Sequence, residues 1–414
     1  MIKTTTYPCV MAVFIALATQ MASAQTANPQ ATPAAPAASA TPTPPAPPVP
    51  IAFNEAVQQA ATALMSGVPE SVLKADGSEI AIDPLIDGYT GGQNTTTVKM
   101  GRDISDVVKQ KYARFKVVPF TADTIAKKPL ILVGTFRPVN SKNVATGPKD
   151  AYHICLALLD LKSGKVVSKG VARALPAGID ATPTKFFKEA PVWLADASVT
   201  SYIKTCQATK VGDLIDAVYA DRITVASTIS QAVDAYNRKR YKEALGLYKT
   251  ALAMPGGQQL RVYNGIYLAN WRLKRAPDAK AAFGQVVDYG LKGPKLAVNF
   301  LFRPSSTNLY SPKGEPSPYS MWIKEISARG AATSACLEIV GHTSKSGPAE
   351  VNERLSVLRA EYIRDRVIGG APTLSKRTIA TGLGAKEVIV GTDGDTPENA
   401  IDRRVEFKTV KCAT

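Results

Sequence analysis

The run VGHTSKSGPAEVNERLSVLRAEYIRD, residues 340–365, constrains the fold of this chain more than any other stretch. Ala335 to Ile339 reads as a strand that ends in Gly341-His342-Thr343. Gly347 and Pro348 then open a helix to about Val367, since proline suits the first helical turn and glycine the position before it. Along that helix Val351, Leu355, Leu358 and Tyr362 recur at i, i+4, i+7 and i+11, and are expected to form the buried stripe. Asn352, Ser356 and Arg359 repeat the spacing one residue on and share an adjacent, more polar face. The free N–H groups of a helix start favour an anion. An arginine on the same face can take a carboxylate bidentately. Two readings follow: a small carboxylate notch, or an arginine that ties the helix to the GHT turn.

The neighbouring elements extend this unit. Leu296 to Phe302 reads as a strand, Ser317 to Ala328 as a helix, and Arg377 to Gly382 and Arg403 to Val410 as two more strands. From Leu296 on, the chain resembles the OmpA-like domain family. The matching residues are Gly341, His342, Thr343, Gly347, Asn352, Leu355, Ser356, Arg359 and Ala360, followed by GLGAKEVIV and IDRRVEF in family order. The resemblance implies a βαβαββ sandwich that holds the diaminopimelate residue of the peptidoglycan stem peptide without a covalent bond. It assigns ligand contacts to Thr343, Ser344, Asn352, Arg359 and Arg404. The family places an Asp directly after GHT to take the ligand's ammonium; here Ser344 stands in its place, and Asp402 replaces the Asn of the terminal motif. Losing a charge-assisted hydrogen bond costs roughly 1.5–3 kcal/mol, on the order of 10–100-fold in affinity. Weaker binding, another acid nearby, or another ligand would each fit that change.

The N-terminus reads as an export signal, residues 1–24. Lys3 gives the basic n-region, Val10 to Ala18 the short apolar run, and Ala22-Ser23-Ala24 the cleavage site. That run is too short for a permanent membrane anchor, and no later segment has the length and apolarity of a membrane helix. Residues 25–50 are nearly all Ala, Pro and Thr. They cannot bury a core, and are expected to form an extended tether.

Residues 51–225 read as an α/β domain. Helical periodicity covers Phe53 to Met65 and Val98 to Tyr112, the latter with Met100, Ile104, Val107 and Val108 on one side. Strands are expected at Glu79–Asp87, Phe115–Phe120, Pro129–Phe136, Tyr152–Leu161 and Lys165–Ala174, the last three as an antiparallel meander with a Ser163-Gly164 turn. With DPLIDG, FKVVPF, LILVGTF and YHICLALLDLKSGKVVSKG, this order resembles the α/β domain of envelope-assembly proteins such as the penicillin-binding-protein activator and curli-secretion lipoproteins. That resemblance implies protein–protein contacts. Residues 226–292 read as helical. Tyr241, Ala244, Tyr248 and Ala251, then Ala279 and Phe283, follow the small-and-aromatic spacing of tetratricopeptide repeats, with Tyr267 departing from it. Repeats of this kind imply a peptide or protein partner; a plain helical hairpin is the other reading.

Past the signal, four cysteines remain: Cys155, Cys206, Cys336 and Cys412. An even count in an exported chain suggests disulfides, with three connectivities open. Pairing within domains joins Cys155 to Cys206 and Cys336 to Cys412; buried free thiols are the alternative. The net charge of +16 is spread out, which favours general attraction to anionic surfaces over nucleic-acid binding. His153 and Cys155 face the same way on one strand, and Asp393-Gly394-Asp395 with Glu398 resembles part of a calcium loop. Packed strand residues and a solvated turn account for both. No nucleophile–base pair, metal set or paired carboxylates stand out, and no cofactor, metal or catalytic activity is expected.

The sequence thus predicts a multidomain α+β chain: an α/β domain with an antiparallel meander (51–225), tetratricopeptide-like hairpins (226–292) and an OmpA-like domain (293–414). The expected role is a non-enzymatic periplasmic protein at the cell wall or outer membrane. It would bind peptidoglycan through the last domain and an envelope protein through the helical region. The alternative is an assembly or secretion adaptor whose OmpA-like domain is a scaffold.

Overall fold

The computed structural model describes residues 47–144, 149–193, 195–293, 295–303, 305–310, 316–389 and 402–412. The expected export signal, most of the expected tether and residues Asp393 to Glu398 lie outside the described residues. Among the described residues no helix is long and apolar enough to cross a membrane.

The first sheet follows from alternation. Helix α1 (Phe53–Ser66) leads to strands β1 (Ser78–Ile82) and β2 (Ile86–Asp87). Helix α2 (Thr95–Lys111), β3 (Phe115–Val118), α3 (Ala122–Ala126), β4 (Leu130–Val139), β5 (Ala151–Asp160) and β6 (Lys165–Ala174) complete it. The strand order is β3-β1-β4-β5-β6, with β2 also on β4. β1 runs parallel to β3 and β4, whereas β4, β5 and β6 form the antiparallel meander. Leu130 and Leu132 point into a core with α1 and α2. Ile131 and Val133 point the other way, against α3 and the helices after the sheet. Both faces are therefore covered, and β4 and β5 read as nearly unbroken apolar runs. The turn after β5 needs a left-handed residue, and Gly164 supplies it at φ +67°. The expected strand Glu79–Asp87 is in fact two pieces. Pro84 has no N–H to give a ladder, so the chain steps out at Asp83–Leu85 and rejoins β4 at Ile86.

Helices α4 (Lys185–Glu189), α5 (Ala197–Gln207), α6 (Ala217–Asn237), α7 (Tyr241–Ala253), α8 (Leu260–Arg272) and α9 (Ala276–Lys292) follow. α6 runs without a break through the boundary expected at residues 225/226. Short turns pair α6 with α7 and α8 with α9. Ala244, Tyr248, Ala251, Ala279 and Phe283 are all buried between them.

The last unit comprises β7 (Lys295–Val298), α10 (Tyr319–Ala332), β8 (Cys336–Gly341), α11 (Ala349–Gly370), β9 (Thr378–Gly382) and β10 (Val405–Val410). Its sheet runs β7-β10-β8-β9, antiparallel except for the β8–β9 pair. The strand expected at Leu296–Phe302 stops at Val298, because Asn299 N–H turns away to the carbonyl of Pro191. This unit shares a core with the helical hairpins. Trp322 stacks on Phe283 at 5.3 Å between centroids, and its indole N–H donates to Tyr267 Oη at 2.8 Å. Arg329 of α10 pairs with Asp288 of α9.

The long helix corrects the sequence reading. Val351 is 55% exposed and Leu358 42%, while Leu355 and Tyr362 are half-buried. The buried face is the neighbouring one: Asn352, Ser356, Arg359, Ala360, Ile363 and Val367. Close approach to the sheet decides this. A Cβ on Gly341 would lie 2.0 Å from the Ser356 carbonyl oxygen, and one on Gly382 2.4 Å from Ser356 Oγ. Only small residues fit on the helix side there, so Ser356 and Ala360 turn inward and the larger Val351 and Leu358 turn out.

The cysteines divide. Cys336 and Cys412 form a disulfide. Cys155 and Cys206 are buried and unbridged, contrary to the expected pair. They nevertheless lie side by side: each Sγ faces the other residue's carbonyl, at 2.7 and 3.0 Å.

Candidate functional site

Strand β8 delivers Gly341-His342-Thr343 to the edge of α11, and two backbone bonds fix the turn. His342 N–H donates to the Arg404 carbonyl at 3.0 Å, and Thr343 N–H to the Gly384 carbonyl at 2.9 Å. Ser356 Oγ accepts from Gly384 N–H at 2.9 Å, which ties the same loop to the helix. Within the turn Ser344 Oγ lies 3.0 Å from Ser346 Oγ. Asn352, one turn into the helix, donates through Nδ2 to the carbonyls of Ser346 (3.0 Å) and Gly347 (3.4 Å). Gly347 sits at φ +87°, a conformation that glycine alone adopts without strain. Asn352 thus shapes the turn, and Ser344 sits inside it.

The two arginines have different settings. Arg404 donates through Nε to Glu406 Oε1 at 2.8 Å and through Nη2 to the Glu387 carbonyl at 3.2 Å. Arg359 is 2% exposed. It donates to the carbonyls of Ser306 (3.2 Å) and Arg303 (3.4 Å) and covers the Phe302 ring at 4.8 Å. The anchor reading ties Arg359 to the GHT turn; its Nε and Nη2 reach the carbonyls of Ser306 and Arg303. The structure thus places Thr343, Ser344 and Asn352 in or against the turn, joins Arg404 to it through its carbonyl, and holds Arg359 on the same helix against Arg303 and Ser306.

Beneath the turn lies a buried polar cluster that the sequence reading missed as a unit. Glu406 is fully buried and bonds Lys295 at 2.9 Å as well as Arg404. Burial alone would raise its carboxyl, but His342, Arg404 and Lys295 together hold it well below the usual range. Burial, reinforced by Arg404 and opposed by Glu406, pushes the His342 imidazole down. Among the described residues Thr343 Oγ1, both His342 ring nitrogens, Arg404 Nη1 and Glu406 Oε2 have no hydrogen-bond partner. Buried groups of this kind call for a water, an ion or a ligand atom. The alternating spacing of Arg404, just before β10, and Glu406 within it was the available signal, since residues two apart on an extended chain face one way. His342, Glu387 and Glu406 bring ligand atoms within 4.8 Å of one another. The two cations already on Glu406 oppose a further dication there.

The surroundings of Ser344 are basic. Lys149 is pushed down by burial and by the charge of Lys345, the residue after Ser344. The arrangement suits a carboxylate-bearing ligand better than a cation. The His153–Cys155 pair is no dyad. Burial, with Arg137 and Arg173 on the flanking strands, lowers His153 to about 4, and Cys155 faces Cys206.

No family model and no curated protein matches the chain. Solved structures similar to part of it include the peptidoglycan-associated lipoprotein from Burkholderia pseudomallei, 19% identical, covering 29% of this chain and 93% of that one, TM-score 0.24. An outer membrane protein from Borrelia burgdorferi is 22% identical, covering 28% and 88%, TM-score 0.22. The periplasmic domain of Helicobacter pylori MotB is 14% identical, covering 29% and 74%, TM-score 0.24.

Proposed function

We propose that this chain is a non-enzymatic envelope protein that holds peptidoglycan through the 341–347 turn and the facing side of α11. Its place would be the periplasm, against the cell wall or outer membrane. The helical region α6–α9 would engage a protein partner. The observation that supports the reading is the turn itself: Asn352 bonds its carbonyls, Ser344 sits inside it beside the basic Lys345, and the Arg404 carbonyl holds its His342 N–H. The ligand's carboxylate would find buried donors, while its ammonium would meet Ser344 rather than a charge.

One observation favours the adaptor reading. Arg359, which the motif assigns to the ligand, already bonds the carbonyls of Arg303 and Ser306, so a carboxylate has to compete with them.

Retention of the purified protein on diaminopimelate-type sacculi at low salt tests the proposal. The wild type is expected to be retained, Arg359→Ala and Arg359→Lys to be released, and Ser344→Asp to be retained about 10–100-fold more tightly. No retention at low salt, or retention indifferent to both Arg359 variants, overturns peptidoglycan binding and leaves the adaptor. Turnover of muropeptides would overturn the non-enzymatic reading.

A further inference from the structure

A second cleft, mostly apolar but with several polar groups, lies where the β1–β2 connection, α5, α6 and the start of α8 meet. Its water-accessible volume is about 40 Å³, and it opens to solvent, so it takes the end of a ligand and leaves the rest outside. Apolar side chains such as Ile86, Val199 and Ile229 form much of its wall. Its polar groups are incompletely used. Arg222 makes one hydrogen bond, from Nη1 to Ser198 Oγ at 2.6 Å. Arg261 has no hydrogen bond or ion pair among the described residues, and its Nε is buried without a partner. Gln259 is 99% buried by its 1% exposure. It donates through Nε2 to the Gly256 carbonyl at 2.8 Å, and its Oε1 accepts nothing. Asp83 accepts from Tyr219 Oη at 2.7 Å. Burial, against the pull of Tyr219 and Arg261, moves its carboxyl up to about 7. Asp83 is the one acid among the lining residues, and Asp196 beside them is taken up by the N–H groups of Ser198, Val199 and Leu260, so two guanidinium groups face a single lining carboxyl.

Unused donors and an unused acceptor in one apolar cleft define a ligand by its chemistry. The guanidinium groups call for a carboxylate, which arginine binds in paired hydrogen bonds. Gln259 Oε1 calls for an N–H close to it. A plain fatty acid would satisfy the first and leave the second buried and unpaired, which is costly. We propose that this cleft binds the α-carboxylate end of a short peptide or free amino acid with an apolar side chain. Arg222 and Arg261 take the carboxylate, Gln259 Oε1 accepts the ligand's N–H, and the apolar wall takes the side chain. This site is separate from the 341–347 turn, and its test does not depend on sacculus binding.

Isothermal titration of the full protein with an alanyl-alanyl-valine tripeptide, its C-terminal amide and free valine tests the assignment. The free-acid peptide is expected to bind, and its amide at least about 10-fold more weakly. Arg222→Gln and Arg261→Gln should each weaken binding roughly 10–100-fold. Binding of valine but not of the tripeptide supports the site and makes the free amino acid its ligand. If Arg261→Gln fails to fold by circular dichroism, Arg222→Gln, at a half-exposed helical position, decides alone. No binding of either acid at millimolar concentration, equal binding of acid and amide, or binding indifferent to Arg222→Gln overturns the proposal.

Discussion

At the residue scale, buried titratable groups make stability depend on pH in opposite senses. Asp83 titrates at about 7 in the folded chain and near 3.9 when unfolded. Between those values the folded state holds the proton and the unfolded state does not, so this term weakens stability as pH rises from about 4 to 7. Asp83→Asn is therefore expected to raise the melting temperature at pH 8 and to change it little at pH 4. A scan of both proteins across that range checks it, and parallel curves would refute it. His153 works the other way: its folded value of about 4 lies below the ordinary ~6.5. The unfolded state then takes up the proton first, and stability falls as pH drops from about 6.5 to 4. Neither effect was legible in the sequence. Glu79–Asp87 reads as one strand, and only the chain's step outward at Pro84 shows that Asp83 is buried beside Tyr219.

At the element scale, α11 shows how a sequence pattern can name a helix and misplace its face. Gly347-Pro348 marked the start well. The apolar repeat then selected Val351 and Leu358, both exposed, because apolar periodicity assumes that the neighbour accepts bulk. Here the neighbour is two glycines against Ser356, so size outranks hydropathy. Gly341→Ala should destabilise by about 1–3 kcal/mol or more through overpacking, measured by urea unfolding. Val351→Ser, on the exposed face, should stay within about 0.5 kcal/mol. Equal losses would mean that the helix faces the other way. The same lesson holds for the site. Motif spacing singled out Thr343, Ser344 and Asn352, which share the turn, and Arg404, whose carbonyl joins it. It could not foresee that the carbonyls of Arg303 and Ser306 bond Arg359, since those contacts join residues more than 50 apart.

At the scale of the whole molecule, the expected division at residue 293 crosses a continuous core. Phe283 of α9 stacks on Trp322 of α10, and Tyr267 of α8 accepts the indole hydrogen bond. Phe283→Ala is expected to cost about 3–5 kcal/mol. It should shift the helical signal in circular dichroism and the tryptophan fluorescence transition together. Two separate transitions, with only the helical one moved, would show that the two regions unfold independently. Composition shifts and repeat spacing mark where one texture ends and another begins. They carry no information on which aromatic rings meet across the join.

The Cys336–Cys412 disulfide closes one end of a ladder. Val410 pairs with Cys336 in register, and β10 lies between β7 and β8 as an interior strand. A tension applied at residue 412 would otherwise peel β10 away one hydrogen bond at a time, as a zipper opens. With the covalent link in place, that pull passes from Cys412 directly into Cys336 at the start of β8, and the ladder between the two strands no longer carries it. Mechanical resistance at this end of the sheet would then follow the redox state of one bond, firm under oxidation and easily unzipped under reduction.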